Sequence, residues 1–273
     1  QEAPVPLPAD GLRSVTGGSG DARGNHDFCV RALGLRMVKK TVNFDAPEVY
    51  HLYYGDRVGA PGTVMTFFPF PGARRGRVGR GQVSLTQYSV PPGSLGFWEA
   101  RLPAHGARVL GRETHFGAER LVAEDPEGLR IALVEVADDP RTPWDGSEIP
   151  SGKAIRGFHG VTLSVAGPEA SEAILSGLLG YERAGHETHG EARTVRLVRP
   201  GVAAGVVDLE IDPAAPDGLE GAGTVHHVAF SVPDRAAQDV VRKAVADAGY
   251  RVTPAIDRDY FHAIYFRTPD GIL

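Results

Sequence analysis

The stretch TVHHVAFSVPD, residues 224–234, contains the pattern from which the fold can be predicted. Apolar and polar residues alternate along it, as they do in a β-strand with one buried face. The run that follows, RAAQDVVRKAVADAG, places Val241, Val245 and other apolar residues at helical spacing, and Gly249 stands where a helix commonly ends. The stretch therefore predicts a strand that leads into an amphipathic helix.

The same order of strand and helix recurs three more times along the chain. Strand-like segments begin at Gly11, Gly81 and Gly157, and each leads into a helix-like stretch that ends at a glycine. These helix-ending glycines are Gly34, Gly106 and Gly180. Further strand-like runs follow each helix, so the sequence predicts four βαβββ units with a repeat of roughly 70 residues. The predicted fold class is α+β, with each sheet packed on a helix and curved around a cavity.

Composition divides these units into two halves. Residues 138–154, DDPRTPWDGSEIPSGKA, are rich in proline, glycine and charge, as linkers are. We therefore predict a first half at 11–137 and a second half at 155–273, each with two units. Residues 1–10 are predicted to form a proline-rich N-terminal arm. The chain has no starting methionine and stops within an apparent strand, so we expect the protein to continue at both ends.

Charge and composition narrow the functional classes. The net charge of −5 gives no positive field to attract nucleic acid or an anionic membrane, and no apolar run reaches the roughly 18 residues of a membrane helix. The arginine-rich segment 71–81 lacks interleaved aromatic residues, so we do not expect it to bind RNA. A single cysteine, Cys29, cannot form an internal disulfide, which fits a cytoplasmic location. We expect no nucleic-acid or membrane partner. The sequence does not exclude a homodimer.

Strand alternation predicts which way the two adjacent histidines point. His226 shares a face with the bulky residues Val228 and Phe230, which should pack on the helix, so we interpret His226 as structural. His227 shares the other face with small residues and is predicted to point into the cavity. The equivalent place in the first unit is taken by Ser14, next to Arg13.

Four such units with HHVAFSVPD at 226–234 resemble the vicinal oxygen chelate superfamily, which includes glyoxalases, bleomycin-resistance proteins and dioxygenases. Four segments are more narrowly similar to dioxygenases that open hydroquinone rings: LGLRMVKKTVNFDAPEVYHLYYGD (33–56), GAPGTVMTFFPFPGARRGR (59–77), IRGFHGVTL (155–163) and RDYFHAIYFRTPDGIL (258–273). The resemblance implies two barrels formed by the four units. It also implies an Fe(II) or Mn(II) centre held by two histidines and one glutamate, with open positions for substrate and O2.

This sequence departs from that ligand pattern. The first metal-binding histidine is replaced by Ser14, whose neutral hydroxyl is a poor substitute for imidazole. His227 keeps the place of the second histidine, and the glutamate would fall just beyond Leu273. We therefore expect no metal cofactor. The alternative is Fe(II) or Mn(II), with His227 as a metal ligand only if a metal is bound.

The resemblance and the strand phase together suggest the functional residues, with a small aromatic substrate and O2 as partners. Predicted catalytic residues are His227, as the base, with Tyr265 and Arg258; predicted substrate-binding residues are His51, His262 and Ser14. The first functional hypothesis is an oxygenase that acts on an electron-rich aromatic compound without the standard metal site. The second is a metal-dependent ring-cleaving dioxygenase. The third is a non-catalytic protein that sequesters an aromatic compound.

Overall fold

The computed structural model describes residues 9–273, which form fifteen strands and four α-helices. The first unit contains β1 (Leu12–Ser19), α1 (Ala22–Asp27), β2 (Arg36–Asn43), β3 (Ala46–Gly55) and β4 (Val64–Pro69). The second contains β5 (Gln82–Val90), α2 (Leu95–Ala104), β6 (Arg108–His115), β7 (Ala118–Glu124) and β8 (Arg130–Glu135). The third contains β9 (Gly157–Ser164), α3 (Glu169–Leu178), β10 (Glu182–His189), β11 (Ala192–Val198) and β12 (Val206–Ile211). The fourth contains β13 (Val225–Phe230), α4 (Arg235–Asp247), β14 (Ile256–Asp257) and β15 (His262–Ala263). None of these four helices has the length and apolar character needed to cross a membrane.

The two sheets each combine units from both halves of the chain. One sheet has the order β13-β1-β4-β3-β2 and the other has the order β10-β11-β12-β9-β5-β8-β7-β6. Antiparallel pairing of β1 with β13 joins the first unit to the fourth, and antiparallel pairing of β5 with β9 joins the second unit to the third. The segment boundaries at 11–137, 138–154 and 155–273 stay a prediction. Of the predicted arm, residues 1–10, all but the last two positions lie outside the described residues.

The glycines predicted to end helices share one backbone conformation. Each has positive φ: Gly34 (+69°), Gly106 (+84°), Gly180 (+73°) and Gly249 (+92°). This region is accessible to glycine without the steric penalty that a Cβ atom brings, and it turns the chain out of the helix. These positions are helix-ending residues, as the sequence predicts.

The first helix is shorter than its pattern predicts. The helix-like pattern covers residues 21–34, but α1 ends at Asp27 and a π-helical turn over Phe28–Ala32 follows it. Asp21 begins the helix by accepting hydrogen bonds from two backbone N–H groups of the first turn. Cys29 lies in the π-helical turn and is buried, and this burial raises the pKa of its thiol well above the usual value. Cys29 is therefore a packed residue and not a reactive thiol.

The fourth unit is the least regular. The sequence predicts a strand over HAIYFRT, but only His262–Ala263 forms a ladder, with Ile256–Asp257. A single bridge between Val252 and Phe266 ties the rest of this segment together. The segment nevertheless carries Arg258 and Tyr265, so its irregular backbone positions two of the predicted site residues.

The core between the second and third units is built from large aromatic side chains. Tyr88 on β5 and Phe158 on β9 are almost fully buried, and their rings stack with centroids 5.4 Å apart. Trp98 of α2 is also fully buried, and its indole N–H donates to the carbonyl of Lys153, 2.8 Å away. Because Lys153 belongs to segment 138–154, that segment packs on the second unit.

Candidate functional site

The five-stranded sheet curves around a cavity of about 720 Å³. Its walls come from β1 to β4, from β13, from the irregular segment of the fourth unit and from residues of α3 and α4 such as Ile174 and Val241. Apolar side chains such as Val38, Val64 and Phe68 make up much of the lining, and a smaller number of polar and charged groups project between them. This volume and this lining are typical of a site for a small organic molecule.

The register of β1 and β13 places His227 on the cavity wall. Thr16 pairs with His227 and Ser14 pairs with Ala229, so these four residues share one face of the sheet. Val15 points the other way and is fully buried. All four residues of the shared face line the cavity.

His226 is not packed beneath the sheet as the alternation predicts. The pairing passes from Thr16–His227 directly to Gly17–Val225, so His226 is the extra residue of a β-bulge. Its side chain is exposed, and its Nδ1 lies 2.9 Å from Nδ1 of His227. One of these two nitrogens therefore carries the hydrogen that they share.

His51 belongs to a line of hydrogen bonds that runs along the cavity wall. Its Nδ1 is 2.8 Å from the Tyr53 hydroxyl and its Nε2 is 3.0 Å from the Thr66 hydroxyl. The Thr66 hydroxyl is in turn 2.7 Å from that of Thr16, the cross-strand neighbour of His227. The ring of His51 also packs on Phe68, with centroids 4.1 Å apart. These contacts fix the orientation of the imidazole of His51.

Tyr265 and Arg258 line the cavity from the irregular segment of the fourth unit. The ring of Tyr265 meets the ring of His227 edge to face, with centroids 6.1 Å apart. The guanidinium of Arg258 lies 5.4 Å from the centroid of the Tyr265 ring, and its side chain is mostly buried. The Nε of Arg258 has no hydrogen-bond partner among the described residues. The structure thus brings His227, Tyr265, Arg258 and His51 to one cavity.

Lys39 is a site residue that the sequence reasoning missed. Its ammonium lies 5.0 Å from the ring centroid of Tyr53 and also stands over the ring of Tyr260. Burial lowers its pKa, and the nearby Asp259 carboxylate opposes that effect. The signal was available, because Lys39 lies within the block 33–56 that carries the family resemblance and pairs with Tyr53 across β2 and β3.

The imidazoles of this cavity are held in the neutral form. Burial lowers the pKa of His51 to about 3, helped by the positive charges of Lys39 and Arg258. Burial likewise lowers the pKa of His227 to about 3, with contributions from His226, His51 and Arg258. Burial raises the pKa of the Tyr53 hydroxyl to about 12. The site therefore combines uncharged imidazoles with two cations that are more buried than the carboxylates beside them, Asp45 and Asp259. These cations would stabilise an anionic ligand in the cavity.

His262 lines the same cavity but contacts other residues. Its side chain is exposed, and its Nε2 lies 3.1 Å from Nη1 of Arg235 and 3.9 Å from the Asp257 carboxylate. Its role in substrate binding stays a prediction.

The donor atoms on the cavity wall do not fit the ligand set that the family resemblance implies. At the places of the two expected histidine ligands stand Ser14 and His227, one hydroxyl and one imidazole, where that set requires two imidazoles. Within residues 9–273, a group of three ligating side chains occurs elsewhere, at His115, Glu187 and His189 of the eight-stranded sheet. The sequence reasoning missed this group. Its signal was the segment HETH at 186–189, where strand alternation puts Glu187 and His189 on one face.

Comparison with known proteins places these observations in a family. The sequence model of the Glyoxalase/Bleomycin resistance protein/Dioxygenase superfamily matches residues 157–273. MhqO of Bacillus subtilis, provisionally named a ring-cleaving dioxygenase, is 41% identical over 263 residues, which cover 96% of this chain and 82% of MhqO. The chain belongs to this family. A second family member, the chlorohydroquinone/hydroquinone 1,2-dioxygenase of Sphingobium indicum, is 35% identical over 276 residues, with 98% of this chain and 85% of the relative covered.

Solved structures of the glyoxalase/dioxygenase superfamily confirm the predicted fold class. A Bacillus subtilis protein provisionally described as a dioxygenase superposes with a TM-score of 0.90 at 40% identity, covering 97% of this chain and 84% of the other. Glyoxalase I from Zea mays superposes with a TM-score of 0.70 at 15% identity, covering 96% and 89%, which shows a shared fold alone. The prediction of an α+β fold with two vicinal-oxygen-chelate barrels is confirmed, and the names of the relatives support an oxygenase.

Proposed function

We propose that this protein is an oxygenase that reacts O2 with an electron-rich aromatic compound of the hydroquinone class in the cavity of the five-stranded sheet. The supporting observation is the set of neutral imidazoles and partly buried cations around one largely apolar cavity. The Sphingobium indicum relative, whose name gives chlorohydroquinone and hydroquinone as its substrates, supports the same substrate class.

His227 acts as the proton acceptor in this proposal. When its Nδ1 donates to His226, its Nε2 is left with a lone pair that can take the proton of a phenolic hydroxyl. A phenol with a pKa of about 10 would not give its proton to an imidazole of such low pKa in a neutral environment. Arg258 and Lys39 supply the missing driving force, because their charges stabilise the phenolate that forms.

The remaining groups orient the ring and accommodate its charge. Tyr265 faces His227 and exchanges a hydrogen bond with the substrate oxygen, while Arg258 stabilises the oxyanion through its free Nε. His51, fixed by Tyr53 and Thr66, borders the substrate on the other side, with Ser14 beside it. Ring cleavage places both atoms of O2 in the product, so the reaction needs no external reductant.

The second candidate is a ring-cleaving dioxygenase that depends on Fe(II) or Mn(II). The names of the relatives favour it, and His227 stands where it would serve as one ligand. The hydroxyl of Ser14, which stands where a second histidine ligand is expected, argues against this candidate. A bound metal would activate O2 and the aromatic oxygen together. No observation favours the third hypothesis, sequestration without catalysis, over these two enzyme functions.

Oxygen consumption by the full chain separates these functions. The protein is treated with a chelator, dialysed and mixed with hydroquinone or chlorohydroquinone in an oxygen electrode. Continued O2 uptake with a ring-cleaved product supports the proposed metal-independent reaction. Uptake that stops after chelation and returns with Fe(II) or Mn(II) overturns that reaction in favour of the second candidate. Tight binding of the hydroquinone without O2 uptake overturns both.

A further inference from the structure

Three ligating atoms converge at the far side of the eight-stranded sheet, away from the proposed site. Nδ1 of His115 lies 3.5 Å from Oε2 of Glu187, and Nε2 of His189 lies 3.3 Å from the same oxygen. All three atoms lie within 4.8 Å of one another. Four ligands placed about 2.05 Å from a tetrahedral zinc ion would be separated by about 3.3 Å, so two of the three separations already have nearly that value.

The backbone prepares the carboxylate of Glu187 for this role. Its other oxygen, Oε1, accepts a hydrogen bond of 2.7 Å from the backbone N–H of Phe116. Because that bond uses Oε1, Oε2 is left facing the two imidazoles. Phe116 follows the last residue of β6 and Glu187 lies on β10, so this contact connects the two outermost strands of the sheet.

The hydrogen on His115 is fixed by a buried carboxylate. Nε2 of His115 lies 3.1 Å from Oδ2 of Asp208, which is fully buried and also accepts from Arg196 and Gln87. Because the guanidinium of Arg196 and the amide of Gln87 donate to both of its oxygens, the Asp208 carboxylate acts as a hydrogen-bond acceptor, and Nε2 of His115 is the donor. Nδ1 of a neutral His115 then presents its lone pair to Glu187.

Nδ1 of His115 and Oε2 of Glu187 thus face each other as two acceptors, and a cation between them would satisfy both. The arrangement also matches the usual environment of a metal-binding histidine, whose second nitrogen donates to a carboxylate. We propose that His115, Glu187 and His189 bind a divalent transition-metal ion of the zinc type, with water completing the coordination. Two imidazoles and one carboxylate suit such an ion. The ion would tie β6 to β10 and so protect the two free edges of the sheet.

Metal titration of the full chain tests this site. Chelator-treated protein is titrated with Co(II) and followed by its visible absorption, and with Zn(II) by calorimetry. All measurements use a His227→Ala background, so that binding in the other cavity does not contribute. We expect one equivalent to bind, and we expect His189→Ala or Glu187→Gln to weaken binding at least tenfold. His189 is 55% exposed, so its replacement should not disturb folding.

A matched control lies on the same strand. His186 is exposed, and strand alternation turns it to the face opposite His189, so His186→Ala should bind Co(II) as the background variant does. Excess Zn(II) should raise the melting temperature of the background and of the His186 variant, but not of the His189 variant. Equal binding by all variants would overturn the proposal. The proposal would also be overturned if no metal bound and an NMR titration showed His115 as an imidazolium that bridges Asp208 and Glu187.

Discussion

At the residue scale, the chemistry of the cavity depends on cations that are more buried than the carboxylates beside them. Lys39 and Arg258 are both partly buried, and the carboxylates near them, Asp259 and Asp45, are exposed. Burial is the main cause that keeps His51 neutral, and the charges of Lys39 and Arg258 add to it. In the proposed reaction, a phenolate bound beside these groups would raise the proton affinity of the imidazoles.

Replacing His227 with alanine should reduce turnover of a hydroquinone by about 10²- to 10⁴-fold, the usual contribution of a positioned acid–base group. The Michaelis constant should change much less, because the cavity and its cations remain. Steady-state O2 uptake measures both parameters. His186→Ala, an exposed histidine on the other sheet, is the control and should leave turnover unchanged. Equal turnover by the two variants would contradict the role of His227.

Lys39→Met should raise the pKa of His51, since it removes one of the charges that lower it. Affinity for an ionised aromatic ligand should fall about tenfold, which is the loss of roughly 1.4 kcal/mol. NMR titration of the imidazole and ligand binding by calorimetry measure the two effects. Lys40→Met is the matched control, because Lys40 is the exposed neighbour whose ammonium stands over Tyr50 instead. A Lys39 variant that behaves like the Lys40 variant would show that Lys39 does not act on the site.

Stability should decrease in acid because of the same imidazoles. The pKa values of His51 and His227 fall from 6.5 to about 3 on folding, so below pH 6.5 the unfolded chain binds more protons than the folded chain. Above pH 6.5 these imidazoles do not reduce the free energy of unfolding. Between pH 6.5 and pH 3 that free energy falls progressively, by on the order of 1 kcal/mol per imidazole at pH 5. Urea unfolding at several pH values measures this slope. His51→Gln should make it shallower, and an unchanged slope would contradict the assignment.

At the element scale, β5 and β9 hold the second and third units together. Their antiparallel ladder extends over most of both strands, and the stacked rings of Tyr88 and Phe158 lie on it. The join between the first and fourth units is shorter and is interrupted by the bulge at His226. The bulge weakens the ladder locally, but it also gives His227 its neighbour in the hydrogen-bonded pair.

Phe158→Ala should lower the free energy of unfolding by about 3 to 5 kcal/mol, because it leaves a cavity in a fully buried cluster. Denaturant unfolding gives the value directly. Phe70→Ala provides the comparison, since Phe70 is 44% exposed and its loss should change stability by less than about 0.5 kcal/mol. Similar losses for the two variants would mean that the β5–β9 join does not dominate stability.

At the scale of the whole molecule, neither of the two larger sheets is formed by one predicted half of the chain alone. The five-stranded sheet takes β13 from the second half, and the eight-stranded sheet takes β5 to β8 from the first and β9 to β12 from the second. The candidate site depends on this exchange, because Ser14 and Lys39 come from one half and His227 and Arg258 from the other.

Residues 11–137, produced alone, should therefore fail to fold cooperatively and should aggregate through the free edges of β1 and β5. Size-exclusion chromatography and thermal unfolding, with the full chain as reference, measure this. Mixing with residues 138–273 should restore a soluble complex. A monomeric fragment with a sharp unfolding transition would show instead that the two units fold independently.

Local patterns predicted the elements well, and long-range pairing explains most of what they missed. Alternation and helix-ending glycines such as Gly249 report on a few neighbouring residues, which is enough to define four units. The pairing of β1 with β13 depends on residues far apart in sequence, so no local pattern contains it. His226 was misplaced because a bulge depends on the partner strand. Lys39 was missed because its role comes from the aromatic rings of other strands and loops.

The pairing of β1 with β13 also has a consequence for how the protein is made. Thr16 and His227 are cross-strand neighbours although about 210 positions separate them in the chain. At ordinary rates of translation, β1 leaves the ribosome about 10 to 40 seconds before its partner has been synthesised. During that delay one edge of β1 has no native strand to pair with. The cavity therefore cannot form until β13 and the segment that follows it have been made, so a nascent chain carries the first unit for some time without it.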